Sequence, residues 1–193
     1  MVILKLLKKL AKNILYRPRL GKMGADSVIM LPRWLHNKKH VEIGENCVVG
    51  RFAVINAVTQ YENIRYDPKI SIGDDVYIGG YSQLHCMNNL TLEQGVVLSE
   101  HVYISDISHG FAPDKGLIMQ QELECKGPVY IGEHTFIGYG VSIMPGVSLG
   151  LRCIVGTRSV VTRSFPPYSM VAGSPARLVK RYCLETKSWI KAS

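Results

Sequence analysis

The chain lacks any apolar run near the roughly 18–20 residues that cross a bilayer, which argues against an integral membrane protein. It lacks a C-x-x-C pair. Its five cysteines (Cys47, Cys86, Cys125, Cys153, Cys183) are odd in number, which argues against a disulfide framework or a structural zinc site. Such cysteine use fits a reduced, cytoplasmic compartment. No basic motif is interleaved with aromatics, so nucleic-acid binding finds no support. Acidic residues are missing from the first 22 positions, which hold Lys5, Lys8, Lys9, Lys12, Arg17, Arg19 and Lys22. Of the formal net charge of +8, seven units come from these residues, and the body is nearly neutral. This start does not read as a signal peptide, because Lys5, Lys8 and Lys9 interrupt the apolar stretch. What remains is an ordinary globular balance over 193 residues, 47% hydrophobic and 20% charged, enough for one domain with appendages.

A six-residue period organises the chain. Aliphatic residues recur at Ile131, Ile137, Ile143, Leu149, Val155 and Val161, and at Ile72, Ile78, Leu84 and Leu90. After a two-residue slip the pattern resumes at Leu92, Leu98 and Ile104, and an earlier run holds Ile43, Val49 and Ile55. Glycine often follows the aliphatic position, and a small or β-branched residue such as Cys47, Ala53, Ser82 or Thr135 comes four places after it. Six is wrong for an α-helix and too long for simple alternation. It suits a short strand plus a turn, three units to a triangular coil, with coils stacked so that the aliphatics point inward.

The period breaks over 56–69 and, at greater length, over 110–128; a structureless segment of the second length inside a domain is commonly functional or disordered. The expected division is a lead-in over 1–40, a repeat body over 41–165 and a C-terminal segment over 166–193. Residues 2–16 predict an amphipathic helix, with Ile3, Leu6, Leu7, Leu10 and Ile14 on one face and lysines on the other. That helix suits either an anionic membrane surface or packing on the body. Beyond Pro175, the stretch RLVKRYCLETKSWI predicts a second helix that caps the stack.

The repeat, the VAGSPAR segment at 171–177 and the VYISDISHG segment at 102–110 resemble the bacterial hexapeptide-repeat acyltransferases, and within them the O-acetyltransferases that modify sugars of lipopolysaccharide, capsule or exopolysaccharide. The resemblance covers about residues 41–182. It implies a mainly β, left-handed parallel β-helix, a homotrimer with clefts between subunits, acetyl-CoA as donor, a saccharide acceptor and no metal.

Acetyl transfer to a sugar hydroxyl needs a base, and imidazole suits that task at neutral pH. His109 ends a regular coil and opens the long irregular segment, and the resemblance implies that it takes the hydroxyl proton. Asp106 could orient the imidazole, bind a sugar hydroxyl or merely form a turn. Relatives often carry Asp-His-x-His here, whereas this chain has Asp106-Ile107-Ser108-His109. Similar enzymes also place an Asn one coil before the base. Tyr81, His85, Asn88 and Asn89 are the nearby polar residues, and Asn88 is the candidate acceptor contact; His85 reads as structural or interfacial.

Coenzyme A carries phosphates that suit Arg and Lys. The resemblance puts its pantetheine arm beside Tyr139 and Thr157 and its nucleotide end by Thr162, Arg163, Arg177 and Lys180. Tyr139 stands where a small residue is usual. A zinc site of the carbonic-anhydrase kind would need His101, His109 and His134 to converge, and the close His pair of such sites is missing. Two other readings remain: N-acetylation of an amino sugar nucleotide, and a catalytically silent scaffold on the same coils. No Ser or Cys is visibly paired with a base, so transfer is expected to be direct.

Overall fold

The small and β-branched residues that punctuate the repeat define the architecture. In a computed structural model, which describes residues 16–192, short parallel strands alternate with tight turns and build three sheets around one core. The first face holds Lys22–Met23, Val41–Ile43, Lys69–Ile72, Asn89–Leu92, Val129–Ile131 and Ser148–Leu149. The second holds Val28–Ile29, Val48–Val49, Tyr77–Ile78, Val97–Leu98, Phe136–Ile137 and Ile154–Val155. The third holds Trp34–His36, Val54–Ala57, Gln83–Cys86, Tyr103–Ser105, Ser142–Ile143 and Val160–Val161. The chain visits the faces in that order and returns, so each circuit is one three-sided coil. The result is a mainly β, parallel β-helix.

Register stacks like on like. Ile43 pairs with Ile72, Val49 with Ile78 and Ile55 with Leu84. Every aliphatic residue named in the six-residue runs is buried. Each such burial contributes on the order of 1.5–3 kcal/mol. The two-residue slip is visible as Asn89–Leu92, a strand that turns both Leu90 and Leu92 inward. Buried hydroxyls stitch neighbouring coils at the corners. Ser27 Oγ donates to the Gly44 carbonyl (2.7 Å) and accepts from the Cys47 N–H (2.8 Å). Thr135 Oγ1 does the same between Gly150 and Cys153. Glycine after the aliphatic position is a packing requirement. A Cβ on Gly79 would lie 2.5 Å from the Ser99 carbonyl oxygen, a backbone atom that cannot swing aside.

The ends differ from expectation. The stack begins at Lys22, one coil ahead of residue 41. The predicted C-terminal helix is absent: Ala176–Cys183 and Ser188–Lys191 form an antiparallel hairpin that continues the second face beyond Ser169–Gly173. The reason is alternation. Ala176, Leu178, Lys180 and Tyr182 face one way and Arg177, Val179 and Arg181 the more exposed way, a period of two that the sheet edge can extend. The predicted amphipathic helix at 2–16 lies, but for Tyr16, outside the described residues. No helix among the described residues is long and apolar enough to cross a membrane.

Candidate active site

Both irregular segments leave the prism at the same corner, between the third and first faces. The first folds back as a hairpin, Gln60–Tyr61 against Ile64–Arg65. The second leaves after Tyr103–Ser105. Its ends close on each other, with Ser108–His109 antiparallel to Leu123–Glu124 and the Gly110 N–H on the Glu122 carbonyl at 2.9 Å. The Tyr61 hydroxyl donates to the Met119 carbonyl at 2.5 Å and ties the two segments together. A cavity of about 280 Å³ lies between them and the third face.

His109 lines this cavity, with the Tyr61 ring edge-on at 5.4 Å. Its Nδ1 is buried and has no hydrogen-bond partner among the described residues. Asn56, His85 and Ser105 form the floor, one from each of three successive coils in parallel register. His85 is half-buried and its surroundings fix its tautomer. Asn56 Nδ2 stands 3.5 Å from Nδ1, which therefore accepts, and Gln83 Oε1 stands 3.2 Å from Nε2, which therefore donates. Burial pushes the His85 pKa down, so this ring is neutral near pH 7.

Asp106 does not reach the cavity. It is fully buried, and its carboxylate accepts the N–H groups of Met87 (2.8 Å), Asn88 (2.9 Å) and Asn89 (3.0 Å). Cys86 Sγ donates to it as well, at 3.4 Å. Asp106 thus pins the turn between the third and fourth coils, which corrects its assignment to substrate. Asn88 is likewise outside the cavity. Its side chain is exposed and approaches Cys125 Sγ at 3.7 Å. The two-residue slip carries it past the floor, and Asn56 and His85 stand there instead. Both follow the inward aliphatic of the third face (Ile55, Leu84), so counting along the repeat would have found them. Tyr61 sits in a break with no periodic signal.

The residues proposed for the donor lie elsewhere. Tyr139 and Thr157 occupy the corner between the second and third faces, one coil apart. Their N–H groups are not engaged in the coil-to-coil backbone ladder among the described residues. That leaves them open to amide carbonyls of a ligand. The Arg158 guanidinium lies over the Tyr139 ring at 5.7 Å. Below Tyr139 the same corner carries His101, Tyr81 and Phe52 in a continuous ring stack, at centroid spacings of 5.2, 4.9 and 5.1 Å. Thr162, Arg163 and Arg177 are exposed and Lys180 is half-exposed. Arg163 stacks on Phe165 at 5.1 Å. Arg158 and Arg177 make the upper end of this edge cationic, as a phosphate-bearing ligand requires, whereas Thr162 and Arg163 follow Val160–Val161 and turn the corner between the third and first faces. His101, His109 and His134 stand at three different corners, so they do not converge within one chain.

Residues 128–163 match the family described as the hexapeptide repeat of succinyl-transferase. WbbJ of Escherichia coli, named as an O-acetyl transferase of lipopolysaccharide biosynthesis, is 28% identical over 177 residues, 86% of this chain and 84% of that protein. AntD, an N-acyltransferase from Bacillus cereus solved with dTDP and 3-hydroxybutyryl-CoA, shares the fold at a TM-score of 0.74 and 18% identity, over 90% of this chain and 89% of its own. A hexapeptide-repeat acetyltransferase from Vibrio cholerae, solved with acetyl coenzyme A, gives a TM-score of 0.64 and 23% identity, over 89% and 76%. Residues 128–163 thus carry the hexapeptide repeat, and the three-sided coil is the fold of the hexapeptide-repeat acyltransferases that the chain resembles.

Proposed function

We propose that the protein transfers acetyl from acetyl-CoA to a hydroxyl of a saccharide in surface-polysaccharide assembly, with His109 as general base. The observation that carries this reading is the His109 cavity, closed by two irregular segments over a polar floor. With Nδ1 buried, Nε2 is the nitrogen left to meet an acceptor. The hydroxyl oxygen bonds to the thioester carbonyl carbon while Nε2 takes its proton. The carbon–sulfur bond then breaks, and the imidazolium returns the proton to the departing thiolate. Such positioned proton transfer contributes about 10²–10⁴-fold. Asn56 offers its side-chain carbonyl to the acceptor, since its amide faces His85. A covalent acyl-enzyme is not required. Burial holds the Cys47, Cys86 and Cys153 thiols up, away from the nucleophilic thiolate.

Tyr139 and Thr157 receive the pantetheine arm, and Thr162, Arg163, Arg177 and Lys180 hold the nucleotide end. The His109 cavity and the Tyr139–Thr157 edge lie on different corners of one prism, while Thr162 and Arg163 lie two coils above the cavity at its own corner. A homotrimer of left-handed prisms, with a neighbour's donor edge facing each cavity, joins them. The similarity to WbbJ supports the polysaccharide setting, and the basic segment at 2–22 suits an anionic membrane face.

The fold shared with AntD favours a second reading, N-acylation of an amino sugar nucleotide. One product analysis separates the two. Purified protein is incubated with labelled acetyl-CoA and a panel of nucleotide sugars and oligosaccharides, and the product is treated with mild alkali. An O-acetyl ester loses its label, as this reading predicts. A label that survives on an amino sugar marks an amide and would overturn it.

A further inference from the structure

The C-terminal hairpin encloses a second cavity, of about 460 Å³, at the corner between the first and second faces near the top of the stack. Its walls are rings. Tyr168 is held in a left-handed corner conformation (φ 62°) and its carbonyl accepts the Tyr182 N–H at 2.9 Å. Tyr182 pairs in register with Trp189, and their rings meet edge-to-face at 5.3 Å. Phe136 lines the opposite side and is substantially exposed. Arg152 lines the mouth, with its guanidinium in no ion pair or hydrogen bond among the described residues, and no lining residue is acidic. His134, beside it, leans over Gly95 and lies within electrostatic reach of Asp75 two coils below, so Arg152 is the uncommitted cation.

This cavity is distinct from both places already described. His134 and Arg152 precede the strands Phe136–Ile137 and Ile154–Val155, whereas Tyr139 and Thr157 follow them, so the two edges flank the second face on opposite sides.

We propose that this cavity is a second binding site, for a nucleoside phosphate: the base against the aromatic wall that Tyr168, Tyr182 and Trp189 form together, with Tyr168 and Tyr182 themselves 6.4 Å apart, and the phosphate on Arg152. The volume suits a ligand of that size. Base–aromatic stacking contributes about 1–3 kcal/mol per base, and Arg is the residue type that grips phosphate through a planar fork. Rings set at an angle make a box for a planar group, and a lone cation at its rim selects one that carries negative charge. The phosphate belongs to a free nucleotide or to a nucleotide sugar, and coenzyme A, bound at the donor edge, is the control.

The chain has two tryptophans, so Trp34→Phe leaves Trp189 as the only reporter. In that background, Trp189 emission is followed while ADP, dTDP, adenosine or coenzyme A is added. Saturable quenching by ADP and dTDP is expected. Arg152→Gln should weaken both by about tenfold, as the loss of one charge-assisted contact, while adenosine binding is unchanged. Tyr182→Leu should weaken all three. Acetyl transfer and coenzyme A affinity should be intact in Arg152→Gln, which separates a second site from the donor site. No quenching at millimolar nucleotide, with the fold verified by circular dichroism, would overturn the proposal. So would affinities indifferent to both substitutions, or a parallel loss of coenzyme A affinity and turnover in Arg152→Gln. The binding arms need no turnover, so they stand or fall apart from the acetyl-transfer reading.

Discussion

Asp106 and Asn88 show how far a side chain's role depends on which way the coil turns it. Asp106 is three residues from His109, yet it faces inward and collects three backbone N–H groups. Asp106→Ala would leave the buried Met87 N–H without its acceptor and release the more exposed Asn88 and Asn89 N–H groups, so a urea titration should show a loss of about 1–3 kcal/mol. Asn88→Ala removes an exposed amide and should change stability by less than about 0.5 kcal/mol and acetyl transfer by less than twofold. A large activity loss there with unchanged stability would restore Asn88 to the acceptor site. His85 makes a pH-dependent prediction. Its folded pKa lies below the ordinary histidine value, so the unfolded chain takes up the proton more readily. Its contribution to stability is full above about pH 6.5 and erodes as the pH falls below that toward the depressed folded value. Thermal melts from pH 7.5 to 5 should show a shallower acid decline in His85→Gln than in wild type. Equal slopes would show that the ring is not shielded as described.

At the scale of elements, the coils were legible and the additions to them were not. Ile131 to Val161 announced strand, turn and inward stacking, because one repeated packing problem has one repeated answer. The C-terminal stretch was misread because Leu178, Tyr182 and Trp189 can be placed on a helical face as readily as on alternating strand positions. The open sheet edge at Ser169–Gly173 decided it by offering unpaired backbone groups. The breaks at 56–69 and 110–128 were legible as breaks only. Nothing local says that they leave by the same corner, which follows from where each interrupts the count of coils. The Tyr61–Met119 contact depends on that coincidence. Tyr61→Phe should therefore speed amide exchange across 118–122 and raise the acceptor KM more than it lowers kcat. Unchanged exchange would show that the hairpin does not restrain the long segment.

For the whole molecule, the prism separates base from donor edge by a full face. On the proposed function a single chain holds half of each reaction centre, and activity is predicted to need the proposed trimer. Dilution that yields monomers, followed by light scattering, should abolish turnover in step with dissociation. His109 is a candidate from the sequence because it sits where regular coil gives way to irregular chain, and it lines the cavity. The floor beneath it, Asn56 and His85, is legible by counting along the repeat, since each follows the third inward aliphatic of its run, and register sets the two side by side.

The most direct test is steady-state acetyl transfer by wild type and His109→Ala on the same saccharide acceptor, with acetyl-CoA affinity measured alongside. A kcat reduced by about 10²–10⁴-fold, with donor affinity within a few-fold of wild type, is the predicted result. Equal turnover by the two proteins would contradict the assignment of the base and of the cavity around it.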